Sequence, residues 1–225
     1  MEAVQIEINR NECYELAERL FFEMSGIDKE GIKYTRMKAD ARRMRDRVED
    51  RICVNMICNF YDVSEMKLNG RNLNVGSESF TCIAFEQIDP GLVKGVYIYA
   101  LTAGEYDFKE ESIINRLYAD IWGTAFTDAA RILISRELNK DDYVSDNFGP
   151  GFFGMDTNEM IKVNKLLNFE SIGVEFRNNK VLVPVKSCAG LFFSVSSRYK
   201  KLHNACRDCI GSERNCKLCK QREIN

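Results

Sequence analysis

Residues 146–156 read DNFGPGFFGMD, and this stretch decides how the rest of the chain is interpreted. Its glycines, proline and phenylalanines are Gly149, Gly151, Gly154, Pro150, Phe148, Phe152 and Phe153. Glycine and proline favour a bend with little side-chain bulk. The pattern predicts either a loop that a ligand can approach closely or a tight turn packed on a core by its aromatic rings.

The segments after this loop predict a short helix and three strands. Residues 157–167 have the amphipathic pattern of a helix. Residues 172–176 and 181–185 are rich in strand-forming side chains, and the polar sequence RNNK between them is typical of a hairpin turn. A third apolar run covers residues 191–195. The expected order is loop, helix and an antiparallel meander.

Four segments in this order resemble the activation (reactivation) domain of cobalamin-dependent methionine synthase. NFGPGF at 147–152 is similar to the family's Arg-x-x-Pro-Gly-Tyr loop. IGV at 172–174, followed by PVKSCAG at 184–190, is similar to its IGV…P-x-KS-x-x-G segment. ALTAG at 100–104 resembles the end of its "TLG" strand, and residues 119–128 resemble its long Ala/Asp/Glu helix.

The resemblance covers about residues 35–196 and is strongest to short free-standing relatives of this domain. In the family, the fold binds S-adenosylmethionine in a shallow groove and presents its sulfonium methyl group to reduced cobalamin held by another module. The resemblance implies a free-standing accessory protein that assists the reductive reactivation of a corrinoid protein, with cobalamin present only through that partner. Such a protein would bind S-adenosylmethionine and position it toward cobalamin, because the sulfonium group and the cobalt carry the reactivity.

The resemblance also implies the residues of the groove. They are Thr124, Asp128, Asn147, Gly149, Pro150, Gly151, Phe152, Lys186, Ser187 and Phe192. Asn147 stands where the family has an arginine for the ligand carboxylate. Phe152 and Phe192 stand at family tyrosine positions and lack the hydroxyl. Thr124 stands at a glutamate position, and Asp128 lies one helical turn later as a substitute carboxylate.

The C-terminal segment, residues 198–225, has the pattern of a metal site. Its cysteines form two CxxC pairs, Cys206 with Cys209 and Cys216 with Cys219. Each spacing lets two thiolates reach one ion or cluster. The set suits either zinc or a [4Fe-4S] cluster, and the alternative is labile disulfides or free thiols. His203, three residues before the first pair, is a fifth candidate ligand or, as we expect, a surface side chain.

Composition limits the possible domain number, partners and location of the chain. With 225 residues, 45% of them hydrophobic, the chain can bury one core, so we expect a body of residues 1–197 and the Cys-rich tail. A net charge of -2 argues against a global polyanion-binding surface and against nucleic acid as the partner. The sequence lacks a long apolar run and a secretory leader pattern, so a cytoplasmic location without membrane contact is expected. Nine cysteines, an odd number, fit reduced thiols and a metal better than a disulfide framework.

Upstream patterns predict the other elements. They are a strand at 4–8, a helix through Leu16 and Met24, a long helix at 36–60, short strands at 63–85, a strand at 95–104 buried on both faces, and a long helix at 108–138 around a core Trp122.

Asp120 and Asp128 lie two turns apart in the helix predicted at 108–138, where they either face a ligand or pair with Arg116 and Arg131. The remaining cysteines are expected to be small buried side chains, and they are Cys13, Cys53, Cys58, Cys82 and Cys188.

Together these patterns predict an α+β fold, a twisted and mainly antiparallel sheet flanked by helices. Two functions of different classes follow. The first is the accessory protein described above, whose partners are a corrinoid protein or methyltransferase module and a small-molecule ligand, with an iron-sulfur tail as electron conduit. The second is a non-catalytic small-molecule or protein-binding module on the same scaffold. Zinc would then be structural, because four thiolates leave no open position. In a third hypothesis, a basic zinc tail contacts nucleic acid.

Overall fold

The computed structural model describes residues 4–5, 8–28, 30–105, 112–140, 143–178 and 181–197. The expected α+β fold is confirmed, with helices packed on a curled antiparallel sheet. The α-helices in this part of the chain are α1 (Arg10–Met24), α2 (Tyr34–Val48), α3 (Ile113–Leu138) and α4 (Met160–Leu166). The strands are β1 (Val4–Gln5), β2 (Ile52–Asp62), β3 (Met66–Asn69), β4 (Asn72–Val75), β5 (Glu78–Thr81), β6 (Val93–Gly104), β7 (Tyr143–Val144), β8 (Glu175–Arg177), β9 (Val181–Val183) and β10 (Ser187–Val195).

The main sheet has the strand order β1-β2-β6-β10-β7, and every neighbouring pair is antiparallel. Strand β6 lies at its centre, so both edges of its backbone are paired. Its residues from Ile98 to Gly104 are all buried, which confirms the expectation of a strand covered on both faces. Helices cover one face, and β3, β4, β5 and α4 contribute to the cover of the other.

Side-chain alternation along β6 divides two hydrophobic cores, because successive residues of a strand point to opposite faces. Tyr99 and Leu101 pack with Ala130 and Ile134 of α3. Ile98 and its even-numbered neighbours pack in the other core, which also contains the rings Phe85, Phe148 and Phe193. The sheet therefore separates the α3 side from the side that receives the phenylalanines of the 147–155 loop.

Helix α3 is fixed at its middle by the only tryptophan of the chain. Trp122 is fully buried, and its Nε1 donates to the Ala41 carbonyl of α2 at 2.9 Å. Its ring stacks on Phe21 of α1, with 4.3 Å between the ring centroids. These contacts confirm Trp122 as a core residue and join three helices at one point.

The predicted helix at 36–60 is wrong in its second half. Helix α2 ends at Val48, a 3-10 turn covers Glu49–Arg51, and the chain continues as strand β2. In β2 the four residues 56–59 are all buried, because both faces of the sheet are covered. A continuous apolar run of this kind fits a buried helix or a buried strand equally well by periodicity.

The predicted three-stranded meander is also wrong. Strands β8 and β9 form a hairpin of their own, whereas β10 pairs with β6 and β7 in the main sheet. The short helix predicted at 157–167 is confirmed as a 3-10 turn, Thr157–Glu159, that leads into α4. The short strands expected between 63 and 85 are confirmed as the separate sheet β3-β4-β5.

The five cysteines of the body do not share one environment. Cys13, Cys58 and Cys82 are buried, as expected, and Cys188 is partly buried. Cys53 is exposed, which corrects the expectation for that residue. The reason is its position near the start of β2, where the register with β6 is irregular between Ile52 and Asn55.

Candidate functional site

The loop at 147–155 is fastened to the edge of strand β10. Phe148 and Leu191 exchange two backbone hydrogen bonds, from the Phe148 N–H to the Leu191 carbonyl at 3.0 Å and in reverse at 2.7 Å. The next residue, Gly149, lies so close to β10 that a Cβ there would be 2.9 Å from the Ala189 carbonyl oxygen. A Cβ on Gly190 would be 2.5 Å from the Phe148 carbonyl oxygen. Both glycines are therefore required by the close approach of two backbones.

The outer part of the loop is a hydrogen-bonded turn with one exposed ring. The N–H of Gly151 donates to the Met155 carbonyl at 2.9 Å, and the N–H of Phe152 donates to the Gly149 carbonyl at 2.8 Å. Gly151 has a φ of +91°, in the region that favours glycine. Phe153 is buried, whereas Phe152 is 49% exposed. Phe148 and Phe153 are buried, as expected for a tight turn packed on a core. Phe152 is exposed, so its ring is available for contact with a ligand or partner.

One face of α3 carries a row of polar residues beside the start of β10. Asp120, Thr124 and Asp128 recur every four residues, which places them along one side of the helix. Lys186 joins this row, because its Nζ donates to Asp120 Oδ1 at 2.7 Å and to Thr124 Oγ1 at 3.0 Å. The Lys186 side chain is only 15% exposed. We call this row, with Arg131, Lys186, Cys188 and Asn147, the α3–β10 surface.

Backbone contacts hold Lys186 and Ser187 in place. The Lys186 carbonyl accepts from the Ala103 N–H of β6 at 2.8 Å and lies 3.3 Å from the Thr127 hydroxyl of α3. The Ser187 hydroxyl donates to the Pro184 carbonyl at 2.6 Å and lies 2.9 Å from the Thr102 hydroxyl. Ser187 therefore positions the turn before β10.

A second cluster of polar groups lies deeper, between α3 and the sheet. The Tyr99 hydroxyl donates to Asn147 Oδ1 at 2.8 Å, and Arg131 Nη2 pairs with Asp128 Oδ1 at 3.1 Å. Burial raises the pKa of the Cys188 thiol to about 12, opposed by the nearby Arg131 charge. Burial also raises the pKa of Tyr99 well above its ordinary value. Both groups are therefore neutral at pH 7, and Arg131 is the cation of the cluster.

Arg131 keeps its charge in this partly buried place. Burial acts to lower its pKa, but the neighbouring Tyr99, Asp128 and Cys188 raise the pKa above the ordinary value. The helical spacing of three residues between Asp128 and Arg131 allows their ion pair, and Arg131 is the partner that the sequence indicates for Asp128. Asp120 pairs with Lys186, whereas the sequence had indicated Arg116 as its partner.

The structure brings together most, but not all, of the residues expected in the groove. Thr124 and Lys186 touch each other, and Asp128 lies one turn farther along the same face of α3. Gly149, Pro150, Gly151 and Phe152 lie on the adjoining loop. Phe192 is 1% exposed and stacks on Tyr99, with 5.2 Å between the ring centroids, so it supports Tyr99 from within the core. Ligand binding by these residues stays a prediction.

Two contributors to this surface, Tyr99 and Cys188, are not predicted by the sequence. Tyr99 lies in the middle of an apolar strand, where nothing in the sequence distinguishes its hydroxyl from any other. The sequence pattern groups Cys188 with the buried cysteines, whereas strand β10 places its thiol near the charge of Arg131. Strand register decides both positions, because Gly190 pairs with Tyr99 and Cys188 with Leu101.

The four cysteines of the predicted metal site, Cys206, Cys209, Cys216 and Cys219, lie outside the described residues. Within the residues that the structure describes, no group of three or more His, Cys, Asp or Glu side chains is arranged to hold a metal ion. No helix of the described ranges is long and apolar enough to cross a membrane.

Comparison with known proteins gives a match in structure alone. No family model matches the sequence, and no curated protein matches it. A solved structure with a similar fold is the crystal structure of the MetH reactivation domain bound to AdoHcy, with a TM-score of 0.63 and 14% sequence identity. The match covers 100% of this chain and 88% of that chain. The chain has the fold of the MetH reactivation domain. The scaffold expected from the loop and the PVKSCAG segment is thereby confirmed, and at this identity the likeness concerns the fold.

Proposed function

We propose that this protein is an accessory protein of corrinoid-dependent methyl transfer and that it binds S-adenosylmethionine or its product at the α3–β10 surface and the adjoining loop. The observation that carries the proposal is the likeness of fold, over the whole chain, to a domain whose crystal structure holds AdoHcy. The proposed partner is a protein that carries cobalamin.

The side chains at this surface can bind such a ligand, but the charged groups stand at other positions than in the family pattern. A ligand with an amino-acid part carries one carboxylate and one ammonium group. Arg131, which is paired with Asp128, supplies a cation that Asn147 cannot supply. Asp128 and Asp120, the latter paired with Lys186, supply carboxylates that a ligand ammonium would share with these cations. The exposed ring of Phe152 offers a face on which a purine can stack. S-adenosylmethionine itself supplies the transferable methyl group, and the chain's residues bind and orient it.

The role in reactivation is tested by following the methyl group. The purified chain is mixed with methyl-labelled S-adenosylmethionine, a low-potential chemical reductant and the isolated cobalamin-binding module of a methionine synthase. The proposal predicts that label enters cobalamin faster with the chain than without it. Equal rates of label incorporation with and without the chain would contradict a role of this protein in reactivation. The variant Asp128→Asn, compared with Glu170→Gln at an exposed glutamate outside the proposed surface and loop, separates the proposed surface from a general effect of the protein.

The metal bound by the C-terminal cysteines would distinguish an electron-carrying accessory protein from a binding module with a structural tail. We propose that Cys206, Cys209, Cys216 and Cys219 hold one metal centre, either zinc or an iron-sulfur cluster. Anaerobic purification followed by metal and sulfide analysis distinguishes the two. Iron with sulfide favours an electron-carrying tail. Zinc favours the alternative function, a binding module whose tail is structural, and the absence of both metals would contradict a metal site.

A further inference from the structure

An open cleft of about 420 Å³ lies between α1 and α2 and shares no residue with the α3–β10 surface. Three aromatic rings line it, those of Tyr14, Phe22 and Tyr34. Three carboxylates, those of Glu15, Glu18 and Glu23, and two arginines, Arg19 and Arg45, line it as well. Rings and carboxylates together are the groups that proteins use to bind organic cations.

The cleft follows from the sequence of α1. Tyr14, Glu18 and Phe22 recur every four residues, and Glu15, Arg19 and Glu23 form the neighbouring row. Residues with this spacing lie on one side of a helix. Tyr34 is the first residue of α2, so its ring reaches the cleft from the other helix.

The three carboxylates differ in how far their charge is already balanced. Glu18 pairs with Arg42 at 2.5 Å and with Arg45 at 3.0 Å. Glu23 lies 4.0 Å from Arg19. Glu15 has no ion pair or hydrogen bond with any residue in the described ranges. Glu15 is therefore the carboxylate of the cleft that is left for a ligand.

The rings of the cleft already attract a cation of the chain itself. Lys38 Nζ lies 6.0 Å from the centroid of the Phe22 ring and 5.6 Å from that of the Tyr34 ring. These two centroids are 6.5 Å apart. A positive charge near the face of an aromatic ring is attracted by the ring's negative face. The position of Lys38 shows where a positive charge is favoured.

We propose that this cleft binds a small quaternary ammonium ion, with its charge between the Phe22 and Tyr34 rings and Glu15. An alkylated ammonium ion suits the site, because its methyl groups contact rings and its charge is weakly hydrated. A metal ion does not suit it, because hard cations need several oxygen ligands and Glu18 is held by two arginines. An anion would meet the charge of Glu15, whereas the lining arginines Arg19 and Arg45 are already paired with Glu23 and Glu18. The inference is independent of the function proposed above.

The test is a titration of choline into the full chain, followed by NMR or calorimetry. The neutral isostere 3,3-dimethylbutan-1-ol serves as the matched ligand without charge. We expect saturable binding of choline and none of the isostere. Glu15→Gln is expected to weaken binding about threefold or more. Lys38→Met is expected to strengthen binding, because it removes the competing cation. Glu170→Gln, an exposed glutamate on a 3-10 turn outside the cleft, is the control for a general loss of charge.

Three outcomes would overturn the proposal. The first is equal binding of choline and the neutral isostere, which would mean that the charge is not recognised. The second is an equal effect of Glu15→Gln and Glu170→Gln, which would place the cation elsewhere. The third is absence of choline binding by both the natural chain and Lys38→Met. The far-ultraviolet circular dichroism of each variant shows that it is folded.

Discussion

The side-chain oxygen of Asn147 accepts a hydrogen bond from the hydroxyl of Tyr99, and the two oxygens are 2.8 Å apart. Tyr99 is fully buried in the central strand β6, whereas Asn147 begins the glycine-rich loop. This bond joins the loop to the centre of the sheet. Asn147 thus fixes the loop at the position where the family pattern has an arginine, and the nearby positive charge comes from Arg131 on α3.

Removing the Tyr99 hydroxyl should destabilise the protein. In Tyr99→Phe, Asn147 Oδ1 loses its described donor, and we expect a loss of about 1 kcal/mol in the free energy of unfolding. Urea denaturation measures this loss. Tyr143→Phe is the matched control, because Tyr143 is half exposed at the sheet edge. Equal stability of the two variants would contradict the anchoring role of the bond.

A methyl group on Gly190 should separate the loop from β10. A Cβ at this position would be 2.5 Å from the Phe148 carbonyl oxygen and 2.9 Å from Asn147 Oδ1. We expect Gly190→Ala to lower the free energy of unfolding by about 1–3 kcal/mol, measured by denaturant titration. At Gly91 the nearest atom is a side-chain oxygen of Asp89 at 3.2 Å, so Gly91→Ala should have a small effect. A Gly190→Ala protein as stable as the control would show that the two backbones can move apart.

The sequence predicts local features here better than long-range ones. The loop, α3 and the centre strand β6 could be predicted, because glycine-rich turns and long apolar runs are local patterns. The course of the chain after Val48 could not, since residues 56–59 in the middle of β2 are all buried and such a run has no distinct period. The partners of Asp120 and Asn147 could not be predicted either, because Lys186 and Tyr99 reach them through strand register.

Stability should decrease at high pH because of the Cys58 thiol. Burial raises its pKa from 9.0 to about 12. Between these values the unfolded chain binds fewer protons than the folded chain, so the free energy of unfolding falls as the pH rises. At one pH unit above 9 this group accounts for about 1.4 kcal/mol. Denaturant titrations at several pH values should give a shallower decrease for Cys58→Ala. Cys53→Ala, which changes an exposed thiol in the same strand, should keep the original slope, and identical slopes for both variants would refute the assignment.

Gly151→Val tests whether the loop takes part in binding. Gly151 has a φ of +91°, which a β-branched residue adopts only with strain, so the turn beside Phe152 should be displaced. We expect binding of AdoHcy to be lost while most of the fold is kept. Gly173→Val is the matched control, because Gly173 also has a positive φ, of +72°, and has no atom near its Cβ position. If both variants bind AdoHcy as the natural chain does, the loop is structural only.

The most direct test of the proposed function is a calorimetric titration of S-adenosylmethionine, and separately of AdoHcy, into the anaerobically purified chain. We expect a saturable isotherm with one site for each ligand. We also expect weaker binding by Arg131→Met, because that variant lacks the cation assigned to the ligand carboxylate. A folded protein that gives no isotherm with either ligand would contradict the account and would mean that this fold serves a different ligand or partner here.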